Sequence, residues 1–166
     1  MYYLFILLIG AERLVELAVS NRNANWSFAR GGREFGQGHY PVMVGMHTAL
    51  LLSCMAEVAI ANRPFIPALG WPMLAVVAAS TAVRWWCAGT LGKHWNPRLI
   101  IVPGAELVRG GPYRWIHHPN YTAVAAEVMA LPLVHSAWVT AIVFTIANAA
   151  VLRVRIRAEN LALGYA

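Results

Sequence analysis

The run Gly110-Gly111-Pro112-Tyr113-Arg114-Trp115-Ile116-His117-His118-Pro119-Asn120-Tyr121 concentrates two histidines, an arginine and two tyrosines between strongly apolar stretches. Imidazoles and phenols exchange protons and hydrogen-bond small polar ligands, and a guanidinium pairs with anions. A residue ahead of a proline is pushed toward extended backbone, and proline suits the first position of a helix. His118 is therefore expected at the start of a helix that begins at Pro119. The free N–H groups and the dipole at such a start favour an anion. Flanked by Tyr113, Arg114, His117 and Tyr121, this helix start can hold a small polar ligand. A second candidate pair lies near the C-terminus. Arg155 and Glu159 are one helical turn apart, as a site pair or as a plain helix-surface pair.

The elements that position these residues must be membrane helices. Of the 166 residues, 59% are hydrophobic and only 12% charged, with a mean hydropathy of +0.53. A soluble domain carries about 25% charged residues, so part of this surface must face lipid. A span needs roughly 20 apolar residues. Helices are expected over about 2–20, 40–61, 65–89, 119–133 and 137–157, with a polar connector over 90–118. The fold class is all-α: a single-domain, polytopic integral membrane protein with three spans and a C-terminal helical hairpin, about five transmembrane helices in all. Pro132 and Ser136 mark the hairpin turn, proline closing one helix and serine capping the next. Within the connector, Leu99–Val102 and Glu106–Val108 each read as an extended segment followed by a turn. The apolar N-terminus has no basic leader and no cleavage site after it, and reads as the first span.

The chain has 13 Lys+Arg against 7 Asp+Glu, a formal charge of +6. The basic residues cluster after the first span, in the connector and near the C-terminus, and only Arg63 lies between the second and third spans. An excess of Arg and Lys marks the cytoplasmic side. The N-terminus is then outside, and the connector and tail face the cytoplasm of a bacterial inner membrane. Nucleic acid is excluded as a partner, because there is no basic stripe and no aromatic–basic alternation. Cys54 and Cys87 are isolated, and neither His-Glu-x-x-His nor paired Cys-x-x-Cys occurs, so no metal is expected. Glu12, Arg13, Glu16, His47, Glu57, Arg84 and Glu127 fall inside spans. Such residues face a bundle interior or a wet cavity; an Arg84–Glu pair joining helices is the simplest arrangement, and Glu57, near the outer end, reads as structural or snorkelling.

The run Leu107-Val108-x-Gly110-Gly111-Pro112-Tyr113-Arg114-x-x-His117-His118-Pro119-Asn120-Tyr121 resembles the signature of isoprenylcysteine carboxyl methyltransferases and their short bacterial relatives. The family pattern is Arg-His-Pro-x-Tyr-x-Gly with a distal Arg-x-x-x-Glu-Glu, which Arg155-Ile156-Arg157-Ala158-Glu159-Asn160 resembles. Leu91-Gly92-Lys93-His94-Trp95 resembles the family's entry to the cofactor region. His117, Ala123 and Asn160 stand where the family has arginine, glycine and glutamate. The resemblance implies an S-adenosylmethionine-dependent O-methyltransferase acting at the membrane–cytosol boundary on a lipophilic or lipidated acceptor. It also implies that His118, Pro119, Tyr121, Tyr113, Leu107, Val108, His94 and Glu159 line the cofactor pocket. Arg155 would orient an anionic acceptor, and Glu159 or His117 would accept the proton of a hydroxyl acceptor. Prenylcysteine-like carboxylates and lipophilic polyketide hydroxyls both fit this scheme. Two other classes compete with it: an NADPH-dependent membrane reductase, and a non-enzymatic lipid-binding or transport protein.

Overall fold

A computed structural model describes residues 1–106 and 108–163. Among these residues five helices follow in order: α1 (Tyr2–Phe28), α2 (His39–Ile60), α3 (Pro67–Leu91), α4 (Pro119–Leu133) and α5 (Trp138–Leu163). Two short strands, β1 (Arg33–Phe35) and β2 (Leu99–Ile101), pair antiparallel with Glu34 opposite Ile100. Single 3₁₀ turns occupy Gly92–His94 and Gly111–Arg114. Helix α5 runs on to Leu163, past its expected end at 157, while α2, α3 and α4 lie within two residues of their expected bounds. The first helix also runs on: it continues past residue 20 to Phe28, because its polar extension finds partners in the connector.

Among the described residues, three helical segments are long and apolar enough to cross a bilayer: Tyr40–Ile60, Pro67–His94 and Trp138–Ala162. The chain is thus an integral membrane protein. The other two helices differ in kind from these three. Helix α1 carries Glu12, Arg13 and Glu16 in its middle, and α4 has 15 residues, about 22 Å at 1.5 Å per residue. Exposed Leu4, Leu7, Leu8, Leu52, Ile142 and Ile146 form an apolar outer surface suited to lipid.

The apolar core lies toward the end of the bundle where α4 turns into α5. Tyr2, Ile6, Cys54, Val58, Val128 and Leu131 are all buried there. Gly70 lets α3 approach this turn, since a Cβ on it would lie 2.8 Å from the Val134 carbonyl and overlap the Phe65 ring. The turn is built differently from the expected serine cap. Ser136 takes a left-handed φ of 57°, and its buried hydroxyl has no partner among the described residues. The α5 N-terminus is capped instead by Glu57 of α2, which accepts from Val139 N at 3.2 Å and Thr140 N at 2.7 Å. Arg63 holds the same carboxylate at 3.0 Å. A carboxylate supplies two acceptors and complements the helix dipole, which a hydroxyl cannot match. Glu57 is therefore structural.

The connector also departs from expectation at its second extended segment. Glu106 and Val108 have no regular structure, and Leu107 lies outside the described residues. The first segment does become a strand, β2, but its partner is β1, far away in sequence. Arg98, beside β2, reaches across to Glu34 of β1, donating from Nε at 2.8 Å and from Nη2. The bonds to Glu34 hold the Arg98 guanidinium more firmly protonated than usual, against a smaller opposing effect of burial.

Candidate active site

At the opposite end of the bundle from the Glu57 cap, the start of α4 meets the last turns of α5. Pro119 occupies the first position of α4 and is buried, after His118 in the cap position with φ −127°. This local geometry puts Tyr121 in the first turn of α4 with its hydroxyl toward α5. The His118 ring stacks on Tyr121, with centroids 5.4 Å apart and planes 22° apart.

Tyr121 joins the two motifs. Its hydroxyl donates to Glu159 and accepts from Arg155 Nε at 2.8 Å. The Arg155 guanidinium carbon lies 5.4 Å from the Tyr121 ring centre. Among the described residues no ion pair joins Arg155 to Glu159 directly, so the plain helix-surface pair is not formed. Arg155 is only 7% exposed, and its remaining donors reach the Pro97 carbonyl and Met43 Sδ, the latter at 3.5 Å. A phenol bonded both to a carboxylate and to a guanidinium has its orientation fixed from two sides.

The other expected site residues lie at varying distances from this cluster. Tyr113 sits in the 3₁₀ turn at Gly111–Arg114, next to the Cys87 thiol of α3; burial first, and then that thiol, push its phenol well above the ordinary range. The turn seats closely because Gly111, at φ 54°, leaves no room for a Cβ against the Thr90 side chain. His117 is exposed and Val108 half-buried. His94 is also exposed, and its ring meets Trp26 of α1 edge-on at 5.0 Å. Asn120 has a buried side-chain oxygen with no partner among the described residues. Sequence reasoning missed Met43 and the Pro97 carbonyl. A backbone acceptor has no residue-type signature, and Met43 looks like any other apolar residue of a span.

Five of the charged residues expected within the spans converge on one network. Arg84 of α3 donates to Glu16 of α1, from Nε at 3.1 Å and from Nη2, and its Nη1 lies 3.6 Å from Glu127 of α4. Arg13 contacts Glu16 at 2.5 Å, Glu12 at 3.1 Å and Glu127. Trp85 Nε1 donates to Glu12 at 2.9 Å. The expected Arg84–Glu pair is thus one edge of a five-residue cluster spanning three helices. Two cations cannot neutralise three carboxylates alone, and mutual hydrogen bonding offsets much of the burial cost. His47 lines a small pocket beside Arg13 and Glu127, with Nδ1 2.8 Å from the Met43 carbonyl.

Two proteins resemble the chain over nearly its whole length. It is 42% identical to the uncharacterized protein YpbQ of Bacillus subtilis (strain 168) over 164 residues, 98% of this chain and 96% of that protein. It is 25% identical to an uncharacterized protein of Haemophilus influenzae over 160 residues, 95% of this chain and 91% of that one. Residues 73–164 match the isoprenylcysteine carboxyl methyltransferase family. That interval runs from α3 through the connector to α5 and contains Tyr121, Arg155 and Glu159. The chain belongs to the isoprenylcysteine carboxyl methyltransferase family of membrane methyltransferases.

Proposed function

We propose that the protein transfers a methyl group from S-adenosylmethionine to a carboxylate or hydroxyl of a lipophilic acceptor at the membrane–cytosol boundary. The observation that carries this reading is the Tyr121 bridge, which draws Arg155 and Glu159 to the start of α4. A mere topology anchor would leave Arg155 in water or among lipid headgroups, yet it is buried.

The residues fit the cofactor's chemistry. Glu159 offers carboxylate oxygens to hydroxyl or amino donors, and the Asn120 oxygen is a buried acceptor still without a partner among the described residues. The stacked His118 and Tyr121 rings supply π-faces of the kind that attract a sulfonium cation. When bound, the cofactor supplies an electrophilic methyl group. The protein's part is mainly alignment and exclusion of water. Tyr121 fixes the direction of the Glu159 carboxylate, and Arg155 presents a guanidinium to an anionic acceptor. A carboxylate acceptor is already ionised and needs no base. A phenol or enol acceptor loses its proton to Glu159 or to His117, whose exposed ring passes it to water. The acceptor arrives from the bilayer and the cofactor from the cytosol, and only a boundary site serves both.

Calorimetric titration of the detergent-purified protein with S-adenosylhomocysteine tests this. The parent should bind, and Glu159→Gln should weaken binding about 10-fold or more, since hydrogen bonds to a charged group are worth about 1.5–3 kcal/mol. Tyr121→Phe should weaken it less, because the carboxylate remains but is no longer aimed. A folded parent that binds no S-adenosylhomocysteine but binds NADPH would overturn the methyltransfer reading in favour of a reductase.

A further inference from the structure

Arg155 is held by a backbone carbonyl, that of Pro97, which lies outside both site motifs. That carbonyl can direct the guanidinium only if the loop carrying it is fixed, and side chains of α1 fix it. Ser20, at the expected end of α1, and Asn23, on the extension that composition alone did not predict, are at 0% and 7% exposure. Asn23 Nδ2 donates to the Trp95 carbonyl at 2.7 Å and to the Gly92 carbonyl at 3.3 Å. Ser20 Oγ donates to Asn96 Oδ1 at 2.8 Å, and Asn96 Nδ2 returns a bond to the Ser20 carbonyl at 2.9 Å.

Asn96 Oδ1 also accepts from Arg98 N at 2.8 Å. An asparagine oxygen bonded to the amide two residues on closes an Asx turn. This one closes over Pro97, whose ring already fixes φ. The turn therefore sets the direction of the Pro97 carbonyl. One side chain is thus keyed to α1 through two bonds and to the turn through a third.

We propose that Asn96 is the positioning residue for Arg155: it transmits the placement of α1 to the guanidinium through the Pro97 carbonyl. The functional weight of this inference rests on Arg155 serving the methyl-transfer site; the mechanical link does not. Ser20 and Asn23 are the far anchors of the same brace. The inner end of α1 then has a defined role, to hold the loop that aims the arginine.

The test is chemical labelling of arginines with phenylglyoxal in the detergent-purified full chain, read residue by residue by mass spectrometry. Arg84 is the internal control, because it is as buried as Arg155, both being 7% exposed. Asn96→Ala should speed labelling of Arg155 about 2- to 13-fold, the factor that corresponds to one net hydrogen bond, and leave Arg84 slow. Asn96→Asp keeps the acceptor oxygen for Ser20 and Arg98 and should stay closer to the parent. Unchanged Arg155 labelling in Asn96→Ala would overturn the proposal. So would a parallel rise at Arg84, the sign of general loosening. Should Asn96→Ala fail to fold, Ser20→Ala removes one anchor more gently and is read the same way. Titration with S-adenosylhomocysteine runs alongside. A parent that fails to bind it refutes the methyltransfer reading, and the labelling still decides whether Asn96 positions Arg155.

Discussion

Replacing Arg84 with methionine leaves Glu16 and Glu127 buried with one arginine where there were two. The side chains concerned are nearly inaccessible, 8% for Arg84 against 7% for Glu16 and 6% for Glu127. Removing one partner of a buried pair costs about 3–5 kcal/mol, because the other charge stays desolvated and unpaired. Arg13 still contacts both carboxylates, which places the expected loss near the lower end, about 3 kcal/mol. At about 2–4 °C per kcal/mol for a chain of this size, the melting temperature should fall by about 6–12 °C. The fold provides its own reporter. Cys54 and Cys87 are 0% exposed, so a thiol-reactive dye in detergent lights up only as the bundle opens. The double variant Arg84→Met/Glu16→Met should be more stable than the sum of its single effects predicts, by about 0.5–3 kcal/mol of coupling. Strict additivity, or a loss under about 1 kcal/mol for Arg84→Met, would place the pair among weak surface contacts and refute the argument.

Other consequences are open to the same assays. Glu57→Ala removes the cap on α5 and should cost about 1–2 kcal/mol, read as a fall in melting temperature, with Glu57→Gln retaining part of it. The raised Tyr113 phenol makes a pH prediction. The unfolded chain loses this proton near pH 10 while the folded one keeps it, so the stabilisation is complete below about pH 10 and is lost as pH rises above it. Tyr113→Phe should therefore show a shallower fall in melting temperature between pH 10 and 11 than the parent. Identical slopes would mean that the phenol is solvated.

Much was legible in the residues alone. Long apolar runs broken by Asn62-Arg63-Pro64 and by the polar connector located four helices, because the bilayer allows few other ways to satisfy a buried backbone. His118-Pro119 marked the start of α4 because proline restricts both its own φ and its predecessor. The polar connector and the basic tail drew attention to Tyr121, Arg155 and Glu159, which the structure brings into contact. Arg84 and the acidic residues within the spans could be recognised as partners, since a lone charge at that depth is too costly.

Pairing, direction and support were decided only by the tertiary structure. Arg155 and Glu159 share a helix face with or without a partner; only the packing of α4 on α5 brings Tyr121 between them. The length of α1 depended on Asn23 and Ser20 finding Trp95 and Asn96 more than 70 residues later. Local propensity carries no record of such bonds. The α5 cap came from Glu57 on another helix, while the neighbouring serine, which the sequence favoured, turned its hydroxyl to no described partner. Composition and periodicity report each residue's preference for water, lipid or backbone geometry. Which distant group meets a given donor depends on how whole helices pack, and no single segment contains that information.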